Sequence, residues 1–461
     1  VRSARWALAL VLLLALAVRL REPLSSPILG AEDPFLHMAQ AWDVAQGHGL
    51  PAHYPPGFPV LLAPLTLLGT KAFVLFARFA PPLFGVAEAL GIYVLLEKRL
   101  GAWPALSGAL VAALMPENVF RTDLLFPTAL DLALLPFVLH LTLRASEGSR
   151  HAVWGAAGLA ALLLVTHPWV VALLVPTLGA FALVLALRSR RRHAAPLAAA
   201  TATGGIALAA ALSFLPGTWN PMPAFLRHAG PKLVALATHP ASIFPLPPYV
   251  DLPAMLTWPA LALAGVGAVR ALAKPRRLGL LALIWCAMLL PLVLVDWFGV
   301  WFIPHRTVAY LSIGVAILAA HAVEALVVAM PRRARVPAGA AACVAVAALL
   351  VPSAAAVAPW YRVVGPSDEA AWSALDARHP SLVVTTSWQA AAGYRATTGR
   401  EAVYDPSFFH DAGERSRTLA QHPDLVVYVD GHAKENGLPT GFLGGRKKVG
   451  AWGDVACYQK S

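Results

Sequence analysis

Glu32 and Asp33 stand side by side in the stretch GAEDPFLHM, Gly30 to Met38, and His37 follows Asp33 at i+4. Adjacent carboxylates with a nearby imidazole can hold or move a proton. They can also offer oxygen and nitrogen ligands to a divalent cation. Further polar residues recur along the chain: His48 and His53, then Glu117, Arg121 and Asp123, then His167, then Asp296, His305 and Arg306. Arg78, Glu88 and Asp131 interrupt apolar runs. Charges in such runs are costly and usually functional, although Glu88 reads equally as a structural partner. Taken singly, a loop carboxylate is usually solvated, and a lone interface histidine is more often a structural hydrogen-bonder than a ligand. Only the elements that carry these residues can turn them into a site.

Those elements are apolar. The chain has 461 residues, of which 58% are hydrophobic and 13% charged, about half the charge of an ordinary soluble domain. The apolar residues form long runs, which makes this a polytopic membrane protein. A net charge of +12 suggests nucleic acid at first sight. The basic residues lie in short clusters between apolar runs, so they read as orientation signals and nucleic acid is excluded as a partner. Three cysteines, Cys286, Cys343 and Cys457, show neither a disulfide framework nor metal-ligand spacing.

About eleven spans are expected, near 4–20, 71–96, 102–116, 124–143, 152–166, 168–187, 195–215, 252–272, 278–297, 305–328 and 336–358. Arg2/Arg5, Lys98/Arg99, Arg144/Arg150, Arg188 with Arg190 to Arg192, Arg270/Lys274/Arg276/Arg277 and Arg332/Arg333/Arg335 then all fall on one side. The positive-inside rule makes that side cytoplasmic, with the N-terminus in and the C-terminal segment out. The first stretch, with Ala15-Leu16-Ala17 after an arginine-flanked apolar run, reads either as a cleaved signal peptide or as an uncleaved helix with Arg19 snorkelling to the interface; we favour the helix. The carboxylates, histidines and single arginines gather on the external side, in loops 21–70 and 216–251 and at span ends. HYPPGFPVLLAPLTLLG, 53–69, is too short to span comfortably and predicts an external amphipathic or re-entrant helix; the other reading is a proline-broken span.

Composition changes near Trp360. Ser367-Asp368-Glu369 predicts a helix over 367–378. SLVVTTS and DLVVYVD predict buried strands, with helices near 387–398 and 411–421. The organisation expected is a membrane domain over 1–359 and a small external α/β domain over 360–461. GFLGGRKK, 441–448, lacks the setting of a phosphate loop and reads as a turn.

This pattern resembles the type-C glycosyltransferases, GT-C enzymes that use polyprenyl-phosphate-linked sugars. EDPFLHM resembles the DPxxH motif of archaeal and bacterial oligosaccharyltransferase catalytic subunits, with Asp33 and His37 at its aspartate and histidine. YPPGFP, 54–59, is similar to a motif of protein mannosyltransferase and lipid A aminoarabinose transferase relatives. PENVFRT, 116–122, resembles the stretch before the second acidic motif, and PHRTVAY, 304–310, the region that sets an arginine against the lipid phosphate. The departures are specific. Thr128 and apolar residues stand where the second acidic motif belongs, leaving Asp123, Asp131 and Glu117 as substitutes. ASIFPLPPYVD, 241–251, lacks the family's loop glutamate. In TSWQAAAGYRATTGR, 386–400, only Trp388 and the Gly399-Arg400 pair are left of the WWDYG signature.

The resemblance implies transfer of a sugar or oligosaccharide from a polyprenyl phosphate or pyrophosphate to a protein or glycan acceptor on the external face, and not standard sequon N-glycosylation. It implies Asp33 as the central carboxylate, with Glu32 and His37 as helpers and Arg306 and Arg78 at the donor phosphate. Asp33 would ligate Mn²⁺ or Mg²⁺ in a metal-dependent relative and act as base in a metal-independent one. Two other classes stay open: a non-catalytic membrane scaffold with a partner-binding external domain, and a transporter. A transporter would show internal repeats and midplane charges, and neither stands out.

Overall fold

The structure is a computed structural model. It describes residues 2–25, 32–51, 55–188, 251–294, 304–357, 366–430, 433, 438–453 and 455–459. Within these elements the side chains of Arg2, Glu32, Asp33, Pro304, His305, Pro366, Trp388, Gln389, Pro406, Gly444 and Gly445 lie outside the description. So do the span expected over 195–215, all of the loop 216–251 but Asp251, His53 and Asp296.

The chain is a polytopic α-helical membrane protein with a small C-terminal sheet domain. Among the described residues seven helices are long and apolar enough to cross a membrane. They are α1 (Arg2–Ser25), α4 (Thr70–Leu100), α7 (Pro127–Ser146), α9 (Pro168–Leu187), α12 (Arg277–Leu294), α13 (Pro304–Ala329) and α14 (Arg335–Ala355). Shorter helices stand between them: α2 (Glu32–Ala45), α3 (Gly57–Leu62), α5 (Ala102–Leu114), α6 (Pro116–Asp123), α8 (Arg150–Thr166), α10 (Leu252–Leu256) and α11 (Trp258–Ala273). The run expected as one span over 252–272 is two helices, broken at Thr257, whose φ is 65°. The expected 53–69 helix is α3 followed by a 3₁₀ turn over Ala63–Leu68, set apart from α4 by Gly69 at φ 83°.

Helix α13 is the hub, packed on α11, α12, α5 and α14. Small residues allow this closeness. Gly267 of α11 lies against the backbone carbonyl of Leu318, where any side chain would collide. The bundle has two chemically different ends. At one, Arg99 meets Glu147 at 3.1 Å, Arg277 donates to the Ser146 carbonyl at 3.0 Å, and Arg276 meets Glu324 at 2.6 Å. These basic residues belong to the clusters on which the expected orientation rests. The opposite end carries α2, α3, α6 and the sheet domain.

Arg19 departs from expectation. It does not snorkel to an interface; it is fully buried between helices, because α6 and the end of α5 surround it with oxygen acceptors inside the protein.

The α/β domain contains α15 (Pro366–Asp376), β1 (Val383–Thr385), α16 (Trp388–Thr398), β2 (Ala402–Tyr404), α17 (Pro406–His410), α18 (Ala412–Gln421), β3 (Val426–Val429), β4 (Lys447–Trp452) and β5 (Val455–Gln459). The strand order is β2-β1-β3-β5-β4. The first three strands are parallel, with Val383 beside both Ala402 and Val426, and β5 runs antiparallel to β3 and β4. Alternate side chains face opposite layers. Val383, Val426 and Tyr428 pack toward Trp372 and Tyr394, while Val384 and Val427 pack toward Phe408 and Phe409. GFLGGRKK is a turn only in part: its two lysines begin β4.

Candidate active site at the domain-bearing end

Helix α2 joins the two parts of the molecule. Phe35, Met38 and Ala41 recur at i, i+3 and i+6 and are buried, as one face of a helix requires. That face lies in a single apolar cluster with Phe58, Phe73 and Leu125 of the bundle and Trp372, Ala390 and Tyr394 of the α/β domain. Phe35 meets Trp372 edge-on at 5.6 Å, and His37, buried, meets Phe58 edge-on at 5.1 Å. Near the other end of α2, Asp43 forms an ion pair with Arg395 of α16. The helix therefore has both ends fixed, and Glu32 and Asp33 are its first two residues. Their side chains fall outside the described residues.

Between α2 and the α/β domain lies a cavity of about 300 Å³, lined by Trp42, Gln46, His48, Arg395, Arg400 and the backbone at Gly399, among others. The TSW stretch has a structural task beside it. Thr386 and Ser387 donate to the Asp430 carboxylate at 2.9 and 2.6 Å, and the Ser387 Oγ also caps α16 by accepting from the Ala390 N–H at 3.2 Å.

Two buried polar groups occupy the same end of the bundle. In the first, Arg19 Nε donates to Thr122 Oγ1 at 2.6 Å and Nη1 to the Ala113 carbonyl at 2.7 Å. Asn118 donates to Glu88 Oε1 at 2.7 Å, so Glu88 takes the structural role. Glu88 and Asp123 both act electrostatically on Arg19. Glu117 pairs with Arg121 at 2.8 Å, and the Arg121 guanidinium lies 5.0 Å from the Phe120 ring centre. Glu117 is thus paired with a cation of this chain, while Asp123 acts on Arg19 through space. Arg78 donates to the Pro23 carbonyl and stacks on Phe79 at 5.2 Å, apart from both groups in its described contacts.

The second group is assembled from two helices and a helix junction. Pro168 keeps the preceding residue out of helical geometry, and His167, at φ −156° and ψ 81°, closes α8 and opens α9. Its Nδ1 contacts Asp131 Oδ2 of α7. Tyr310 of α13 donates its hydroxyl to the same oxygen at 2.5 Å. One turn earlier on α13, Arg306 places Nη1 3.5 Å from His167 Nε2. Asp131, His167 and Tyr310 are buried, and Asp131 Oδ1 has no hydrogen-bond partner among the described residues. The structure thus joins Asp131 to Arg306. The sequence singled out His167 but not its partners, and Tyr310 carried no signal of its own.

Among the described residues no three His, Cys, Asp or Glu side chains stand together as metal ligands. Asp131 and His167 offer one carboxylate and one imidazole, short of the oxygen-rich shell that Mn²⁺ or Mg²⁺ takes. Asp33, the ligand that the resemblance implies, lies outside the described side chains.

No family model matches the sequence, and no curated protein matches it. Solved structures do match the fold. The oligosaccharyltransferase of Archaeoglobus fulgidus in complex with Zn and sulfate aligns over 92% of this chain and 68% of its own, with a TM-score of 0.64 and 16% identity. The archaeal oligosaccharyltransferase AglB from the same organism, in complex with an inhibitory peptide and a dolichol-phosphate, aligns over 94% and 70%, at 0.63 and 14%. ArnT from Cupriavidus metallidurans bound to undecaprenyl phosphate aligns over 99% and 97%, at 0.62 and 12%. Breadth of coverage at such low identity speaks for architecture, and the architecture of this chain is the type-C glycosyltransferase fold.

Proposed function

We propose that this protein is a membrane glycosyltransferase that moves a sugar or oligosaccharide from a polyprenyl phosphate or pyrophosphate to a protein or glycan acceptor. The reaction takes place at the end of the bundle that bears the α/β domain. The loop charges assign that end to the extracytoplasmic side. The observation that carries the reading is Arg306 backed by His167 and Asp131; the acidic start of α2 joins it in the reading through the DPxxH resemblance. Support from outside the chain comes from fold neighbours that bind dolichol-phosphate and undecaprenyl phosphate.

The chemistry needs two services. An acceptor nucleophile attacks the anomeric carbon, the bond from that carbon to the lipid phosphate oxygen breaks, and the phosphate leaves with the bonding pair. Asp33 holds the acceptor and takes its proton, with Glu32 and His37 beside it. Arg306 stabilises the charge that builds on the leaving phosphate; losing such a donor typically slows a reaction by about 10²–10³. Every step uses side chains of this chain and none is routed through a cation. The altered TSWQAAAGYRATTGR stretch, whose first two hydroxyls, on Thr386 and Ser387, are engaged by Asp430, favours an acceptor other than the standard Asn sequon.

Mass-spectrometric profiling of envelope glycans and glycoproteins tests this in a deletion strain complemented with wild type or Asp33→Ala. Wild type should restore a glycan that the variant does not. Equal restoration would move the scaffold reading to the front.

A further inference from the structure

We infer that Asp131, His167 and Tyr310 form a positioning relay that holds the Arg306 guanidinium in place for a lipid phosphate. This rests on the reading of Arg306 as the donor-phosphate residue and extends it to three residues that act through Arg306. An ionised carboxylate can only accept hydrogen bonds. Asp131 Oδ2 receives the Tyr310 hydroxyl and contacts His167 Nδ1, so the imidazole proton sits on Nδ1. Nε2 then carries a lone pair, and it faces Arg306 Nη1 at 3.5 Å, the long end of hydrogen-bond range. A proton on Nε2 would set a second donor against the guanidinium, so Arg306 and Asp131 select the same tautomer from opposite sides of the ring.

The anchoring explains the burial. Asp131 is fully buried, and His167 and Tyr310 are nearly or fully so. Tyr310 and Arg306 are one turn apart on α13 and share a face. Trp285 Nε1 donates to the Tyr310 carbonyl at 2.8 Å, which fixes that turn against α12. Arginine recognises phosphate by the direction of its planar fork as much as by charge, and a long side chain held at one nitrogen loses less freedom when a ligand arrives. Losing the relay should therefore weaken phosphate binding while leaving the charge of Arg306 intact.

The test uses the full chain in detergent and undecaprenyl phosphate as the probe. His167→Gln keeps an acceptor at the Nε2 position, whereas His167→Asn keeps only the group that faces Asp131. Arg306→Ala should weaken probe binding about tenfold or more, and His167→Asn about three- to tenfold. His167→Gln should stay within about twofold of wild type. In the Arg306→Ala background His167→Asn should add nothing, because both changes remove one interaction. If His167→Asn does not fold, Tyr310→Phe, which removes one hydroxyl, enters the same cycle with the same non-additive result expected. Additive losses, or equal binding by the Gln and Asn variants, overturn the relay and leave the reading of Arg306 standing. Restoration of the His167→Asn loss by added Mn²⁺ or Zn²⁺ makes the imidazole a metal ligand and also overturns it. Wild-type binding by Arg306→Ala overturns both the relay and the donor-site reading.

Discussion

The Arg19 side chain occupies the space that Gly85 leaves empty. A Cβ at Gly85 would meet Nε, Cδ and Cζ of Arg19 well inside contact distance, and the guanidinium cannot swing away without releasing Thr122 and the Ala113 carbonyl. Leaving a buried hydrogen-bonding group without its partner costs about 1–3 kcal/mol, and more where a charge is involved. Arg19→Ala should therefore lower the thermal midpoint in detergent by many degrees, and Gly85→Leu should do so from the other side of the same contact. Arg19→Lys should recover only part of the loss, since one ammonium cannot follow a guanidinium to two separate acceptors. Individual charges such as Asp131, Glu88 and Arg306 were legible in the sequence as interruptions of, or neighbours to, apolar runs. Their pairings were not. His167 lies 36 residues from Asp131 and 139 from Arg306, and nothing in local composition spans such a gap.

At the scale of elements, the long apolar helices could be read from hydropathy because burial in lipid or protein needs little else. Helix α2 could not. Its Asp-Pro and nearby glycines read as a loop, and its apolar face is completed by residues distant in sequence, Leu125 of the bundle and Trp372 and Tyr394 of the α/β domain. Strands β1 and β3 were visible as β-branched runs. Strand β2 is three residues long, and β4 begins with two exposed lysines and carries a register shift near Gly450, so neither produced a periodic signal. The α11–α13 contact offers a paired test. Gly267 touches the Leu318 backbone, while Gly265 on the same helix has open space around it. Backbone cannot move aside as a side chain can, and overpacking costs about 1–3 kcal/mol even where neighbours relax. Gly267→Leu should lower the thermal midpoint clearly, and Gly265→Leu should leave it near wild type.

Across the whole molecule, the two parts differ in their response to acid. In the α/β domain, Asp411 accepts from the N–H groups of Glu414 and Gly413, which hold its carboxyl below the ordinary 3.8. The Ser381 hydroxyl and N–H do the same for Asp424. A carboxyl whose folded value is depressed adds stability that is complete above its unfolded value and is lost as pH falls through the folded one. The α/β domain should hold its stability from about pH 7 to about pH 5 and lose some of it toward about pH 3. Thermal midpoints of the full chain, read by proteolysis within 366–459, should show this, and Asp411→Ala should flatten part of the slope.

The seating of α2 on α16 also has a consequence in time. Asp43 and Arg395 are 352 residues apart. At ribosomal rates of about 5–20 residues per second, roughly 20 s to just over a minute passes between the synthesis of the helix and of its cover. For that interval Phe35, Met38 and Ala41 wait without the Trp372 surface, on a nascent chain whose membrane helices are already being placed. A ribosome that stalls before residue 372 releases a protein in which that face is covered only from the bundle side, by Phe58, Phe73 and Leu125, and the part meant for Trp372 is the surface a chaperone or protease would meet first.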